Sequence, residues 1–351
     1  MNAPLSSRAI SAQAVEVAPA TGRMLDIAVL VIPGFSHLAL HAYLEPFRIA
    51  NSVAKVPLFR SRIAGIDCRP VTGVNGLSIP VDVTIGALGS SDGSSRQLDH
   101  FAIVAGEGVE RQFTPLLNGF LRSIARRGVA ISAVGTATWL LAQTGLLAEN
   151  RCTIHWSKLA AFTEVFRKPR VRDSLFVNEG QFSTCAGELA AFDLAVDLIG
   201  GYAGAQIAQE VCRHATVEGQ RSGSNRQTGP SGLAFAGVSE SLVGAMRLME
   251  DNIDFPLSMT EISGQVGLSR RQLERLFTAH AGFAPAKYYM RIRIDHARRL
   301  IEGTRLPLVD IAIASGFVSA SHFSKCFRIT HGVSPQELRL NLPAWVGPGL
   351  G

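Results

Sequence analysis

Two stretches of the chain place reactive or nucleic-acid-reading side chains at purposeful spacing. In RGVAISAVGTATWLLAQTGLLAENRCTIHW a continuous apolar run gives way, through a tight turn at Val134 to Thr136, to a helical pattern. A strand-turn-helix elbow of this kind projects one side chain over the end of a sheet and aims backbone N–H groups at whatever sits there; a hydrolase would carry Ser or Cys at its apex. Far downstream, two helical segments expose side chains suited to the grooves of duplex DNA. These are Arg270, Arg271, Glu274 and Arg275 in the first, and Ala320, Ser321, His322, Lys325 and Arg328 in the second. Arginine bonds guanine edges bidentately, whereas lysine and serine position a protein on phosphates. On one isolated helix such charges are usually a solvated face; their recurrence at matched positions on two helices argues for recognition.

The elements that hold those side chains are readable from caps, turn glycines and apolar spacing. In LSMTEISGQVGLSRRQLERLFTAHAG, Thr260 is a candidate N-cap with Ser263 in the first turn, and Ile262 and Val266 lie at helical spacing. Gly267 permits a sharp turn, and Ser269 caps a second helix whose Leu273, Leu276 and Phe277 face inward. The design recurs in LPLVDIAIASGFVSASHFSKCFRITHGVSP, where Ile311, Ile313 and Ala314 precede Gly316, Ser319 caps, and Phe323 and Phe327 face inward. Two helix-turn-helix units in tandem follow, and strand signals vanish from Glu240 on.

Upstream, from Leu25, apolar runs such as LDIAVLVIPG, HFAIVAG and VAISAVG alternate with amphipathic stretches such as HLALHAYLEPFRIANSVA and FLRSIARRG. Strands buried on both faces read as continuous Val/Ile/Ala runs, and the intervening periodicity supplies crossover helices, so an α/β sandwich with a mostly parallel sheet is expected. At 351 residues the chain exceeds what one core usually organises. The expected division is a tail over 1–23, the α/β domain over 24–215, a Gly/Ser/Arg/Gln-rich linker over 216–237, an all-α double helix-turn-helix domain over 238–340, and a tail over 341–351.

Composition narrows the function classes. With 47% hydrophobic and 18% charged residues the chain is globular. Its apolar runs, Ile27 to Ile32 and Val129 to Val134, fall far short of the roughly 18 to 20 residues a membrane span needs, and no signal-peptide pattern opens the chain, so a cytoplasmic address is expected. The five cysteines (Cys68, Cys152, Cys185, Cys212, Cys326) are scattered without zinc-ligand spacing; buried thiols, no metal and no cofactor are expected. The net charge is +6, yet between Ser269 and Arg339 there are 12 Lys/Arg against 5 Asp/Glu, so the positive excess lies where a polyanion would bind.

The segment from about Val238 to Arg339 resembles the AraC-family DNA-binding domain, through GLSRRQLERLFTAHAGFAPAKYYMRIRIDHARRLI and especially VDIAIASGFVSASHFSKCFRITHGVSPQELR. The resemblance implies that both second helices enter successive major-groove segments, joined by a central helix at about Pro285 to Ile301. It makes Arg271, Glu274, Arg275, Ala320, Ser321, His322 and Lys325 the residues at base edges or nearby phosphates, with Arg270, Ser319 and Arg328 beside them.

The segment from about Leu25 to Cys212 looks like the ThiJ/PfpI branch of the glutamine-amidotransferase-like superfamily, a flavodoxin-like fold, on GFSHLALHAYLEPFRIAN, VGTATWLLAQTGLL followed by TIHW, and FSTCAGELAAFDLAVDLI. Enzymes of that branch use an elbow Cys, a His shortly after it and an acidic residue from an early helix. By that resemblance Glu45 takes the acidic position and His155 the histidine, but Gly135 stands where the cysteine would be and offers no nucleophile. Ser132 and Thr136 are off the apex, and a hydroxyl there would need a base within reach. A non-catalytic pocket is expected, lined by Phe35, Glu45, Gly106, Glu107, Gly135, Thr136, His155, Trp156, Cys185 and Glu188. The plainer readings are that His155 only bonds backbone, Trp156 is core and Glu45 is solvated.

The stretch LFVNEGQFSTCAGELAAFDL is also similar to regulators of quaternary-ammonium and arginine catabolism that carry a TCAGG-type motif, from which this chain departs at Glu188 and Leu189. That likeness implies effectors such as glycine betaine, dimethylglycine, carnitine or arginine; an aromatic face plus carboxylates suits a methylated cation. The function expected is therefore a sequence-specific transcription regulator, an activator, with promoter DNA, a small-molecule effector, RNA polymerase and a second copy of itself as partners. The alternatives are a ThiJ/PfpI-type amidase or glyoxalase-like enzyme with a DNA-binding appendage, whose turnover would depend on His155, and a structural nucleoid protein with no sequence preference.

Overall fold

The computed structural model describes residues 23–89, 98–227 and 239–342. The expected tails, apart from Arg23, Asn341 and Leu342, and residues 228–237 of the expected linker lie outside the described residues. The front half runs β1 (Leu25–Val31), α1 (His37–Ala54), β2 (Phe59–Gly65), β3 (Val71–Thr72), β4 (Ser78–Ile79), β5 (Val83–Thr84), α2 (Ile85–Gly89), β6 (His100–Ala105), a 3-10 turn (Val109–Arg111), α3 (Pro115–Arg126) and β7 (Ala130–Gly135). It continues through α4 (Thr138–Gln143), β8 (Arg151–Cys152), α5 (Trp156–Val165), β9 (Arg170–Val171), β10 (Phe176–Glu179), β11 (Phe182–Cys185), α6 (Ala190–Ala203) and α7 (Ala205–His214).

The main sheet has the order β10-β11-β7-β6-β1-β2-β5, with every pairing parallel except β10 against β11. Successive side chains of a strand point to opposite faces, and both faces here are covered. From β1, Ile27, Val29 and Val31 enter the core shared with α1, α6 and α7, whereas Ala28, Leu30 and the following Ile32 enter the core shared with α2 to α5. That double burial is why these strands read as unbroken apolar runs. The loops leaving β1, β6, β7 and β11 all emerge at one edge, the carboxyl ends of the strands, where open parallel sheets bind ligands.

The expected linker does not begin at 216. Leu175 N–H donates to Asn225 O (2.8 Å), and the Arg221 backbone and guanidinium bond the Asp193 carboxylate at 2.6–2.9 Å. Asp193 is buried on α6 and a buried carboxylate needs such a partner, so residues 217–227 are fastened to the α/β domain.

Among the described residues the back half is all helical: α8 (Glu240–Asp251), α9 (Met259–Gln265), α10 (Arg270–Ala281), α11 (Pro285–Gly303), α12 (Leu308–Ala314), α13 (Ala320–His331) and α14 (Pro335–Asn341). One core joins α8, α9, α10 and the start of α11 around Met246, Leu273, Phe277 and Tyr288; a second joins the rest of α11 to α12 and α13 around Leu300, Ile311, Phe323 and Phe327. The N-cap of α9 is Ser258 rather than Thr260, because Ser258 and Glu261 close a reciprocal capping box. Among the described residues no helix is long and apolar enough to cross a membrane.

Candidate functional site

At the carboxyl edge of the sheet β7 ends on Gly135 in the left-handed region (φ +76°) and α4 starts three residues later. A Cβ on Gly135 would lie 2.6 Å from Ala105 O at the end of β6, and one on Gly187 would lie 2.7 Å from Gly135 Cα, so three chain segments close in on this glycine. The elbow expected at Val134 to Thr136 is therefore present, and its apex has no room for a side chain without movement. Thr136 donates its hydroxyl to Gly106 O, and Ser132 is buried with its hydroxyl 2.9 Å from His100 Nε2, so neither hydroxyl is aimed into the edge.

His155 is tied to the elbow by its backbone, which donates to Gly135 O (3.1 Å), and it caps α5, with Nδ1 2.8 Å from Ser157 Oγ. Burial pulls the imidazole below its ordinary pKa while Glu188 and Glu107 pull the other way, so two carboxylates lie within electrostatic reach of the ring. Glu188 is itself strained, at φ +48° directly after Gly187 at φ +91°, and is held by Ser36, whose hydroxyl donates to Glu188 Oε2 at 2.7 Å. Ser36, the N-cap of α1, was absent from the sequence-based set; its signal was a capping serine just past a strand of a parallel sheet.

The structure thus brings Gly106, Glu107, Gly135, Thr136, His155 and Glu188 together and separates the others. Glu45 does not take the acidic position: it lies nine residues, about 13 Å, along α1 from Ser36, half exposed and paired with Arg48 at 2.6 Å. Phe35 is fully buried in the core. Cys185 is sealed beneath the edge, where burial pushes its thiol up to about 12. Trp156 follows His155 but presents its ring to the other domain, with Arg299 of α11 5.9 Å from the ring centroid.

That contact belongs to a larger junction. Gly303 of α11 packs so tightly on Ala161 of α5 that a Cβ on the glycine would be 2.6 Å from the alanine Cβ, and Ala160 joins the core of the second helix-turn-helix unit. Arg226 spans the two halves, bonding Asp173 at 2.8 Å and Asp251 of α8 at 2.6 and 2.9 Å, which raises its pKa further. Between them lies a cleft of about 850 Å³ lined in part by Trp156, Glu250, Asp295, His296 and Arg299.

In the helical domain the two second helices match position for position. Ser269 caps α10 and Ser319 caps α13, Gly282 and Gly332 end them at φ +75° and +76°, and Leu273 with Phe277 answers Phe323 with Phe327. Arg270, Arg271, Glu274, Arg275, Ala320, Ser321, His322, Lys325 and Arg328 are all exposed, and Ser319 is half-buried. Arg270 is ion-paired along its helix with Glu274 (3.1 Å), Arg328 lies 3.7 Å from Glu337 of α14, and His322 meets the edge of Phe317. A residue outside the expected set positions the second unit: Arg293 of α11 bonds Ser315 O (2.9 Å) and Gly316 O (2.5 Å) and lies 4.4 Å over the Phe317 ring.

An α/β domain whose sheet edge gathers a histidine and two carboxylates, joined to two tandem helix-turn-helix units, defines a ligand-responsive DNA-binding protein. A helix-turn-helix domain model matches residues 262–341, and a DJ-1/PfpI family model matches residues 27–200. Similar full-length relatives are the HTH-type transcriptional regulators CdhR of Pseudomonas aeruginosa, 33% identical over 331 residues (92% of this chain, 95% of the relative), and GbdR of the same organism, 31% identical over 327 residues (93% and 87%). GlxA of Rhizobium meliloti is 30% identical over 316 residues (89% and 95%). The chain belongs to the AraC-type transcriptional regulators that carry an N-terminal DJ-1/PfpI domain; it is a DNA-binding regulator with an effector-sensing domain.

Proposed function

We propose that a small cationic metabolite, a quaternary ammonium compound such as glycine betaine or carnitine or a basic amino acid such as arginine, switches this regulator from the edge formed by Gly106, Glu107, Gly135, Thr136, His155 and Glu188. The observation that carries the reading is covalent continuity. His155 hangs on the elbow through Gly135 O, and the next residue, Trp156, lies against Arg299 of the central helix. A ligand pulling on His155 and the two carboxylates would move the start of α5, and with it the surface on which α11 rests. The ligand then needs only different affinities for two poses of the domains.

The edge is a binding site and not a reaction centre in this proposal, because its apex is a glycine in a space that excludes a thiol. Arg271 and Arg275 reach guanine edges, Ser319, Ala320, Ser321, His322 and Lys325 serve the second groove segment, and Arg270, Glu274 and Arg328 orient by their ion pairs. The regulator acts in the cytoplasm as an activator and a homodimer on promoter DNA and touches RNA polymerase when bound. Its sensing domain runs from residue 24 through 227, and its DNA-binding domain spans 238–340.

The test is titration of the full-length protein onto a selected operator duplex with and without glycine betaine, carnitine or arginine. Arg271→Ala and Arg275→Ala should each weaken unliganded binding by about 1–3 kcal/mol, whereas Glu188→Gln should leave unliganded binding intact and lower effector affinity at least tenfold. A response to one of these cations that survives Glu188→Gln and Glu107→Gln together would refute the site.

A further inference from the structure

The two recognition helices differ at their tips, and the difference is chemical. In the first unit Gly267 is followed by one residue, Leu268, before the N-cap Ser269, and Leu268 is half-buried against the core of that unit. In the second unit two residues separate Gly316 from the N-cap Ser319. Phe317 fills the core, 3% exposed and clamped by Arg293, and the additional residue, Val318, is turned out of the fold completely, at 104% exposure. A valine released from core packing directly before a recognition helix gains nothing from water and would gain from burial in a groove.

We propose that Val318, supported by Ala320, reads the C5-methyl group of thymine, so that the second helix recognises an apolar feature of its groove segment while the first recognises guanine. This rests on the DNA-binding reading of the tandem units and extends it to the bases. Recognition helices present their N-terminal residues to base edges, and the thymine methyl is the apolar mark that the major groove displays. Around Val318 the tip is small: Ala320 and Ser321 are exposed and short, and the one ring of the first turn, His322, is engaged with Phe317 at 5.7 Å. The α13 tip can therefore sit close to the base pairs. At the α10 tip, by contrast, Arg271 and Arg275 are exposed and form no ion pair among the described residues, leaving their guanidinium forks to the paired acceptors of guanine.

The experiment selects duplexes from a random library with the full-length protein, then replaces each thymine of the best-bound duplex, one at a time, by deoxyuridine. That exchange removes the methyl and keeps base pairing and the O4 acceptor. The wild type should lose about fourfold in affinity at one or two thymines of a single groove segment, the fold-change equivalent to ~0.8 kcal/mol per buried methyl-sized group. Val318→Ala should bind the thymine and uracil duplexes alike, and Val318→Thr, which keeps one methyl at the same place, should restore part of the preference. Val318 touches no core, so loss of folding is not a route to these outcomes. Indifference of the wild type to every deoxyuridine exchange, or retention of the thymine preference by Val318→Ala, would overturn the assignment and leave the DNA-binding reading standing. Failure to enrich any duplex would overturn both.

Discussion

Replacing Gly135 by Ala tests whether the elbow has closed around its glycine. Two costs add. An alanine held at φ +76° carries the left-handed penalty of about 1–2 kcal/mol, and its Cβ would stand 2.6 Å from Ala105 O, so the ends of β6 and β7 must separate by about 0.8 Å to reach ordinary contact. They cannot do so freely, because Ala105 O accepts from Thr136 N (3.2 Å) and Val104 and Ala105 are paired in register with Val134 and Gly135. Overpacking of this kind costs about 1–3 kcal/mol, so the total loss should be about 2–5 kcal/mol. Urea unfolding of the full chain followed by tryptophan emission reads it as a lower midpoint at unchanged slope. Gly135→Cys should lose a similar amount and gain no amidase or glyoxalase turnover. A Gly135→Ala protein within about 0.5 kcal/mol of wild type, a margin typical of inconsequential substitutions, would show that the apex has room for a side chain, and the case for a sensor over a lapsed enzyme would lose its structural basis.

Three further outcomes follow from single contacts. Arg293→Ala should cost about 2–4 kcal/mol in the helix-turn-helix domain, since two charge-assisted bonds and a cation-π contact are lost together, and should abolish operator binding; Arg293→Lys should restore binding only in part, and full binding by Arg293→Ala would show that the second unit needs no staple. His100, buried between Tyr43 and Ser132, is depressed to about 4 by burial, so the unfolded chain binds its proton first: its contribution is complete above pH 6.5, falls as the pH drops towards 4, and amounts to about 3 kcal/mol. Urea stability between pH 7 and 4.5 should show that slope, and His100→Gln should flatten it. Gly303→Val should drive α11 off Ala161 and uncouple effector from DNA in operator titrations while each domain remains folded, as judged by two intact unfolding transitions; an unchanged effector response would disconnect this junction from signalling.

The α/β class and the tandem helix-turn-helix units were legible because their signals are local. β1 is apolar on both faces and says so residue by residue, and Ser269, Gly267, Leu273 and Phe277 declare a capped, turned, half-buried helix without reference to anything distant. What local sequence does not carry is the register between elements far apart in the chain. Motif likeness puts Glu45 at the acidic position on the same helix as Ser36, but only the helical rise shows that Ser36, and not Glu45, reaches the sheet edge. Adjacency to His155 makes Trp156 a candidate pocket residue, yet the side chain one position along a new helix turns away, and Arg299, 143 residues on, already covers it. Thr260 was a sound cap in isolation; Ser258 prevailed because Glu261 completes its box. Residues 217–227 have linker composition, but a buried carboxylate on α6 holds them in place.

The strength of the junction decides whether it can transmit a signal. The Trp156–Arg299 contact contributes about 0.5–2 kcal/mol, and the ion pairs of Arg226, whose side chain is half exposed, contribute about 0–1 kcal/mol each. The Gly303–Ala161 approach and the packing of Ala160 on the second helix-turn-helix core add close apolar contact. A junction holding a few kcal/mol matches the range of about 1–3 kcal/mol in which allosteric coupling usually falls: strong enough to populate one pose without ligand, weak enough for a metabolite with a modest difference in affinity to release it. A large apolar interface would have locked the domains, and a bare tether would have carried nothing. The same logic favours the strained Glu188 as the sensing residue. Its carboxylate accepts a bond from the Ser36 hydroxyl, while its left-handed backbone is fixed separately by Ala191 N–H donating to its carbonyl at 3.1 Å, so the carboxylate stands on a set backbone where a cation can compete with Ser36 for it.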